Sequence, residues 1–251
     1  IGIWFSASAA AIINHVVDRK IDSLMDRTRN RPLVNGVIKT SHAIYFAFFL
    51  ATISILILAI FVNHLTAILT LSSIIVYSLI YSVYLKNLTS QNIVIGGIAG
   101  AMPPLLGWTA ITNQIDSFPL ILFLIIFLWT PPHFWALAVY KYEEYKKADI
   151  PMLPITHGCN FTRLHIFLYS ILLFCITLFP YLLGLAGSVY IVGTVLCGIK
   201  FVYDAYQLMK NKFDEDAIKL FRFSIVYLAL VFFFLLIDHY LVISYTLYLS
   251  Y

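Results

Sequence analysis

Four stretches of this sequence gather side chains able to do chemistry. The densest is NHVVDRKIDSLMDRTRNRP, residues 14–32. Asn14, Asp18 and Asp22 recur every four residues, which on a helix aligns them along one face. Asp26 continues the spacing if the helix does. Clustered carboxylates repel one another unless a cation sits among them. Mg²⁺ suits such a row, because it takes oxygen ligands, keeps several waters and shares the rest with substrate phosphates. Arg27, Arg29 and Arg31 follow at once, and guanidinium forks match phosphate oxygens. A carboxylate row beside an arginine cluster is equipment for holding a lipid diphosphate through metal. The competing account is a solvated loop whose charges pair with each other and with lipid headgroups; the period-four register with Asn14 argues against it.

The second stretch is LWTPPHFWAL, residues 128–137. Pro131 and Pro132 are expected to break the helical hydrogen bonding and aim the next turn into the interior. His133 would then stand between Trp129 and Trp135, to contact an acidic group, shuttle a proton, ligate a metal or simply pack. The third is YEEYKKADIPMLPITHG, residues 142–158. Here Glu143 and Glu144 either complete a second metal site or form Glu–Lys pairs on a solvated loop. In the fourth, residues 84–108, Lys86 is placed to reach a diphosphate beside Gln91 and Asn92. Gly96, Gly97 and Gly100 allow close helix approach. Cys159, Cys175 and Cys197 lack metal-ligand spacing and read as buried apolar residues. Lys200, Asp204 and Asp238 stand alone and receive no catalytic role.

The elements that must position these groups are membrane helices. Hydrophobic residues make up 61% of the 251 and charged residues 11%, against about 25% charged in a soluble domain. A span needs about 20 apolar residues to cross about 30 Å of hydrocarbon. Such runs fall near 1–17, 42–62, 65–85, 92–112, 118–139, 163–184, 188–209 and 222–243. Backbone groups in lipid must be satisfied internally, and without the alternation of a barrel that leaves helices. The expected fold is therefore all-α, a polytopic transmembrane bundle of about eight spans forming one domain over residues 1–251. The chain opens at Ile1 inside an apolar run without an initiator Met, which reads as a truncation with an upstream helix expected.

Lysine and arginine alternate strictly between loops. Segments 18–41, 86–91, 140–162 (with Arg163 at its edge) and 210–222 carry them, whereas 63–64, 113–117 and 185–187 carry none. The positive-inside rule puts the charged loops on the cytoplasmic or matrix side. The isoelectric point of 8.9 thus reads as topology rather than nucleic-acid binding. With no targeting region in view, a bacterial plasma membrane is favoured over a mitochondrial inner membrane.

At these four stretches the sequence resembles the UbiA superfamily of intramembrane prenyltransferases, and within it the haem-modifying branch. The first stretch looks like that family's Asn-x3-Asp-x3-Asp motif with its following Arg-Thr-x-x-Arg-Pro, here Arg27, Thr28, Arg31 and Pro32. The Asn-Ile-Val-Ile-Gly-Gly, Pro-Pro-His-Phe-Trp and Pro-Met-Leu-Pro stretches look specific to the branch. The resemblance covers essentially the whole chain and implies about nine spans of ordinary length. It also implies transfer of the farnesyl group of farnesyl diphosphate to a vinyl group of haem B, with release of diphosphate. In that scheme Asn14, Asp18 and Asp22 hold Mg²⁺, with Glu143 and Glu144 at a second metal site. Arg27, Arg31 and Lys86 grip diphosphate, and His133 touches haem. Haem A synthase or cytochrome oxidase assembly proteins are the partners it suggests. Two features depart from the family: only Glu143 and Glu144 stand for its second aspartate motif, and Asp149 stands where Gly is usual. Two rivals remain at this point, a quinone-pathway enzyme with an aromatic acceptor and a secondary transporter. The transporter would call for an inverted repeat and midplane polar groups, neither of which the sequence displays.

Overall fold

The computed structural model describes residues 1–26 and 28–249, and among them every regular element is helical. Helix α1, Gly2–Val17, is followed by the single turn α2, Arg19–Asp22. Asp18 between them keeps right-handed backbone angles (φ −81°, ψ 0°), so the period-four row runs on without a change of face. Next come α3, Thr40–Phe61, and α4, His64–Ile75. Helix α4 winds on as a π-helical segment, Val76–Leu85, into α5, Lys86–Leu88. Helices α6, Asn92–Gly100, and α7, Pro103–Thr112, make up one broken span. The rest is α8, Ser117–Tyr140, two short helices α9, Tyr142–Lys147, and α10, Leu153–His157, and three long ones. These last are α11, Cys159–Leu182, α12, Ser188–Asn211, and α13, Asp214–Leu249.

Among the described residues seven stretches are long and apolar enough to cross a membrane, and α1, at 16 residues, is somewhat shorter. The eight expected runs are all present as helix. Side-chain polarity is arranged for lipid. Phe46, Phe48, Phe49, Phe61 and Leu196 lie exposed on the outside, while Ser54, Thr66, Ser170, Thr177, Thr194 and Ser224 are fully buried. A water-soluble protein does not expose apolar surface on this scale, and small or hydroxylated residues between helices are what bilayer packing favours. This is an integral membrane protein.

Helices α1, α3 and α4 pack together at one side of the bundle, and α8, α11, α12 and α13 at the other, with α6 and α7 joining them. The four basic loops meet at one end. Lys86 pairs with Asp18, and Arg163 donates to the Lys212 carbonyl at 3.0 Å. Tyr145, Ile150 and Met152 close the same cavity as Asp18 and Asp22.

Two expectations need correction. Pro131 and Pro132 do not break α8, which is helical from Ser117 to Tyr140. A helix-interior proline costs about 3 kcal/mol, but both rings are buried here, in a helix packed against α11 and α13, and that packing holds the helix. The carboxylate row also stops short of Asp26, because α2 ends at Asp22; Asp26 is exposed and pairs with Arg29 at 3.3 Å. Two other residues find structural roles. Asp149 adopts φ 50°, the left-handed conformation that Asp tolerates better than most residues. Asp238 is a buried cap for α12, accepting from the Gly187 and Val189 amides, the latter at 3.0 Å.

Candidate active site

The row predicted on α1 and α2 is the floor of a polar cavity of about 180 Å³ at the basic end of the bundle. Asp18 and Asp22 are 3% and 5% exposed, far deeper than carboxylates usually lie. Each has its own cation. Lys86, delivered by the π segment's end, bonds Asp18 Oδ2. Arg31 Nη1 donates to Asp22 Oδ2 at 2.6 Å. Arg31 can fold back because Thr28 Oγ1 donates to the Asp22 carbonyl at 3.1 Å, pinning the loop between them. Asn14 Oδ1 accepts from Ser82 Oγ at 3.1 Å. Asn92 Nδ2 donates to the Lys86 carbonyl at 3.1 Å, fixing the turn that presents Lys86.

Two buried oxygens in this cavity have no hydrogen-bond partner, Asp18 Oδ1 and Asn92 Oδ1. Such orphans are costly and call for a missing partner. Two carboxylates and an amide oxygen, one carboxylate oxygen of them free, fit Mg²⁺. That ion is usually held by one or two carboxylates and completed by water and phosphate oxygens rather than by an all-protein cage. Among the described residues no cluster of three His, Cys, Asp or Glu forms a ready-made metal site.

The polar cavity adjoins an apolar one of about 290 Å³. Asn14, Tyr81, Lys86, Ile93 and Phe134 line both. Tyr81 packs against Gly96, where an added Cβ would come within 2.6 Å of the ring, so that glycine is what lets the tyrosine into the site. Beyond it Trp129 and Phe134 form an aromatic wall. The site therefore has a charged mouth and a largely apolar, aromatic interior.

The other predicted residues are placed elsewhere. His133 does not face the cavity. Its ring is sandwiched by Trp129 and Phe221, at 4.2 and 4.6 Å between centroids, and Nδ1 lies 2.6 Å from Ser224 Oγ. Because α8 continues through the prolines, His133 points to α13, and the next residue, Phe134, takes the cavity face. Glu143 and Glu144 line a separate surface cavity with Asp214, where Glu144 pairs with Lys141 at 2.8 Å. They do not join Asp18 and Asp22, since α9 turns Tyr145 rather than either glutamate toward that cavity. Arg27 lies outside the described residues. Sequence reasoning missed Tyr81 and Ser82, which lie in no motif, and Phe134 and Tyr145, which lie inside motifs whose neighbouring His133, Glu143 and Glu144 drew the assignment instead.

Residues 1–237 match the model of the UbiA prenyltransferase family. The chain belongs to that family. A relative named protoheme IX farnesyltransferase, from Legionella pneumophila (strain Lens), is 52% identical over 240 residues, covering 96% of this chain and 82% of the relative. A digeranylgeranylglyceryl phosphate synthase structure superposes with a TM-score of 0.80 at 24% identity, covering 93% of this chain and 81% of that one. A UbiA homologue from Archaeoglobus fulgidus, bound to GPP and Mg²⁺, superposes with a TM-score of 0.60 at 17% identity, over 92% and 84% of the two chains. At these identities the two structures speak to the shared UbiA fold. The charged mouth and apolar interior of this UbiA-family member are the two halves that prenyl transfer requires.

Proposed function

We propose that this chain transfers the farnesyl group of farnesyl diphosphate to a vinyl group of haem B, giving haem O and diphosphate. The observation that carries the transfer chemistry is the pair of buried, individually neutralised carboxylates at the mouth of an aromatic-lined cavity. The choice of donor and acceptor rests on the 52% identity to a protein named for that reaction.

Asn14, Asp18 and Asp22 are the residues that would hold Mg²⁺, which when bound neutralises the diphosphate and makes it a better leaving group. Lys86 and Arg31, which pair with those carboxylates at the mouth, would also donate to the phosphate oxygens of the bound diphosphate. The bond between the farnesyl C1 and the diphosphate oxygen breaks, and diphosphate leaves with the electron pair. The allylic cation forms against Tyr81, Trp129 and Phe134, whose faces stabilise positive charge and keep out water that would quench it. A vinyl group's π electrons close the new carbon–carbon bond. Water then adds its oxygen to the resulting cation and releases a proton, leaving a hydroxyethylfarnesyl group. The basic end, and with it the site, faces the cytoplasm of a bacterial cell.

The test is incubation of purified protein with labelled farnesyl diphosphate, Mg²⁺ and haem B, with products identified by mass spectrometry. A parallel arm supplies an aromatic acid as acceptor. Farnesylated haem is expected, and Asp18→Ala abolishes it. Label on the aromatic acid instead would replace the acceptor assignment, and label on neither would refute transfer.

A further inference from the structure

The π-helical segment Val76–Leu85 turns Ser82 inward, where it is 0% exposed. Such winding is rare and concentrates at functional sites. Ser82 Oγ sits between two acceptors, the Tyr77 carbonyl at 2.9 Å and Asn14 Oδ1 at 3.1 Å. A serine hydroxyl has one proton to give and two lone pairs that accept, so it can donate fully to only one of them. The bond to Tyr77 is local, five residues back along the π winding. The bond to Asn14 crosses to α1, 68 positions away in sequence. Asn14 also lines the polar cavity in which Asp18 Oδ1 is unpartnered.

We propose that Ser82 is a positioning residue for the metal, setting which end of the Asn14 amide faces the polar cavity. The inference rests on the reading of Asn14 as a Mg²⁺ ligand. An amide offers an oxygen on one side and an NH₂ on the other, and only the oxygen suits a cation. With Oδ1 turned to the cavity, Ser82 gives its proton to the Tyr77 carbonyl and accepts from Asn14 Nδ2. With the cavity empty, the same hydroxyl donates to Oδ1. The amide thus turns without stranding the buried hydroxyl, whose loss of a partner would be costly. Neither Asp18 nor Asp22 has such a choice to make, since both carboxylate oxygens are acceptors. Alanine at this position would leave nothing to hold Nδ2 away from the cavity. Partners that orient metal ligands typically govern about 10- to 100-fold in affinity.

The experiment measures Mn²⁺ binding to purified protein, with Mn²⁺ standing for Mg²⁺, as loss of the free-ion electron paramagnetic resonance signal. Ser82→Ala should weaken binding about tenfold or more. In an Asn14→Ala background the same change should add nothing, because Ser82 acts through that amide. Ser82→Thr and Ser82→Val share one shape, so any crowding at this buried position falls on both. The Thr variant should therefore bind about tenfold tighter than the Val variant, reading the hydroxyl alone. Wild-type affinity in Ser82→Ala, equal affinities in the Thr and Val variants, or a full further loss in the Asn14→Ala background would each overturn the proposal. If the wild-type protein held no Mn²⁺, the metal reading itself would fall, and this inference with it.

Discussion

Replacing Lys86 by Met tests the charge arrangement at the mouth of the site most directly. Asp18 is 3% exposed, its Oδ2 is held by Lys86, and its Oδ1 has no partner at all. Methionine keeps the apolar stem and removes the charge, leaving a buried carboxylate uncompensated. Removing one member of a fully buried pair costs about 3–5 kcal/mol. The Lys86 side chain is 18% exposed, so water relieves part of that, and about 3 kcal/mol is expected. The assay is thermal unfolding in detergent with chelator present. Asp18→Asn combined with Lys86→Met should recover most of the loss, because the stranded charge is gone. Adding Mg²⁺ should stabilise Lys86→Met more than wild type, since the ion can supply the missing positive charge. Wild-type stability of Lys86→Met in chelator, or a double variant no better than the single, would refute the reasoning.

His133→Ala should lower stability by about 2–3 kcal/mol, through loss of the stack between Trp129 and Phe221 and of the Ser224 hydrogen bond. Diphosphate affinity by calorimetry should hold in the fraction that stays folded. Glu143→Gln with Glu144→Gln should leave the magnesium dependence of transfer where it was, because both side chains line a different cavity from Asp18; a shifted magnesium titration would restore them to a metal role. Asp149→Gly should raise stability by about 0.5–1 kcal/mol by relieving a left-handed backbone at φ 50°, read from the unfolding midpoint. Cysteines placed at Ser23 and Thr156 should label from the same side of sealed vesicles, as their loops share one end of the bundle.

Where local periodicity decides the geometry, the sequence was readable. Asn14, Asp18 and Asp22 share a face because α1 and α2 keep one winding through Asp18. The basic loops share an end because alternating spans leave them no other place. Lys86 was legible as a mouth residue, but its union with Asp18 spans 68 positions in sequence and needs the tertiary fold. His133 misled because two prolines normally stop a helix, and here burial of both rings in the packed interior holds it together. Adjacent helical residues point about 100° apart, so an uninterrupted α8 exchanges His133 for Phe134 at the cavity. Tyr81 depends on the π winding of Val76–Leu85, for which hydrophobic pattern has no signature. The glutamates of α9 were misplaced because a short helix at a loop can turn either face inward.

The buried hydroxyls have a consequence for how the chain enters its bilayer. Most are bonded within their own helix: Ser170 Oγ to the Ile166 carbonyl at 2.7 Å, Thr194 Oγ1 to Tyr190 at 2.8 Å, Ser224 Oγ to Phe221 at 2.6 Å. Such back-bonding satisfies each of these hydroxyls before any neighbour arrives, so none of the three is stranded in hydrocarbon when its segment leaves the translocation machinery singly. Ser54 and Thr66 differ, reaching across to the Gly2 carbonyl at 2.7 Å and to Thr109 at 3.0 Å. Both crossings lie in the N-terminal part of the chain, where α3 must find α1 and α4 must find α7. Those two hydroxyls acquire their bonds only on assembly, so the insertion of α3 and α4 should be sensitive to when α1 and α7 are in place beside them.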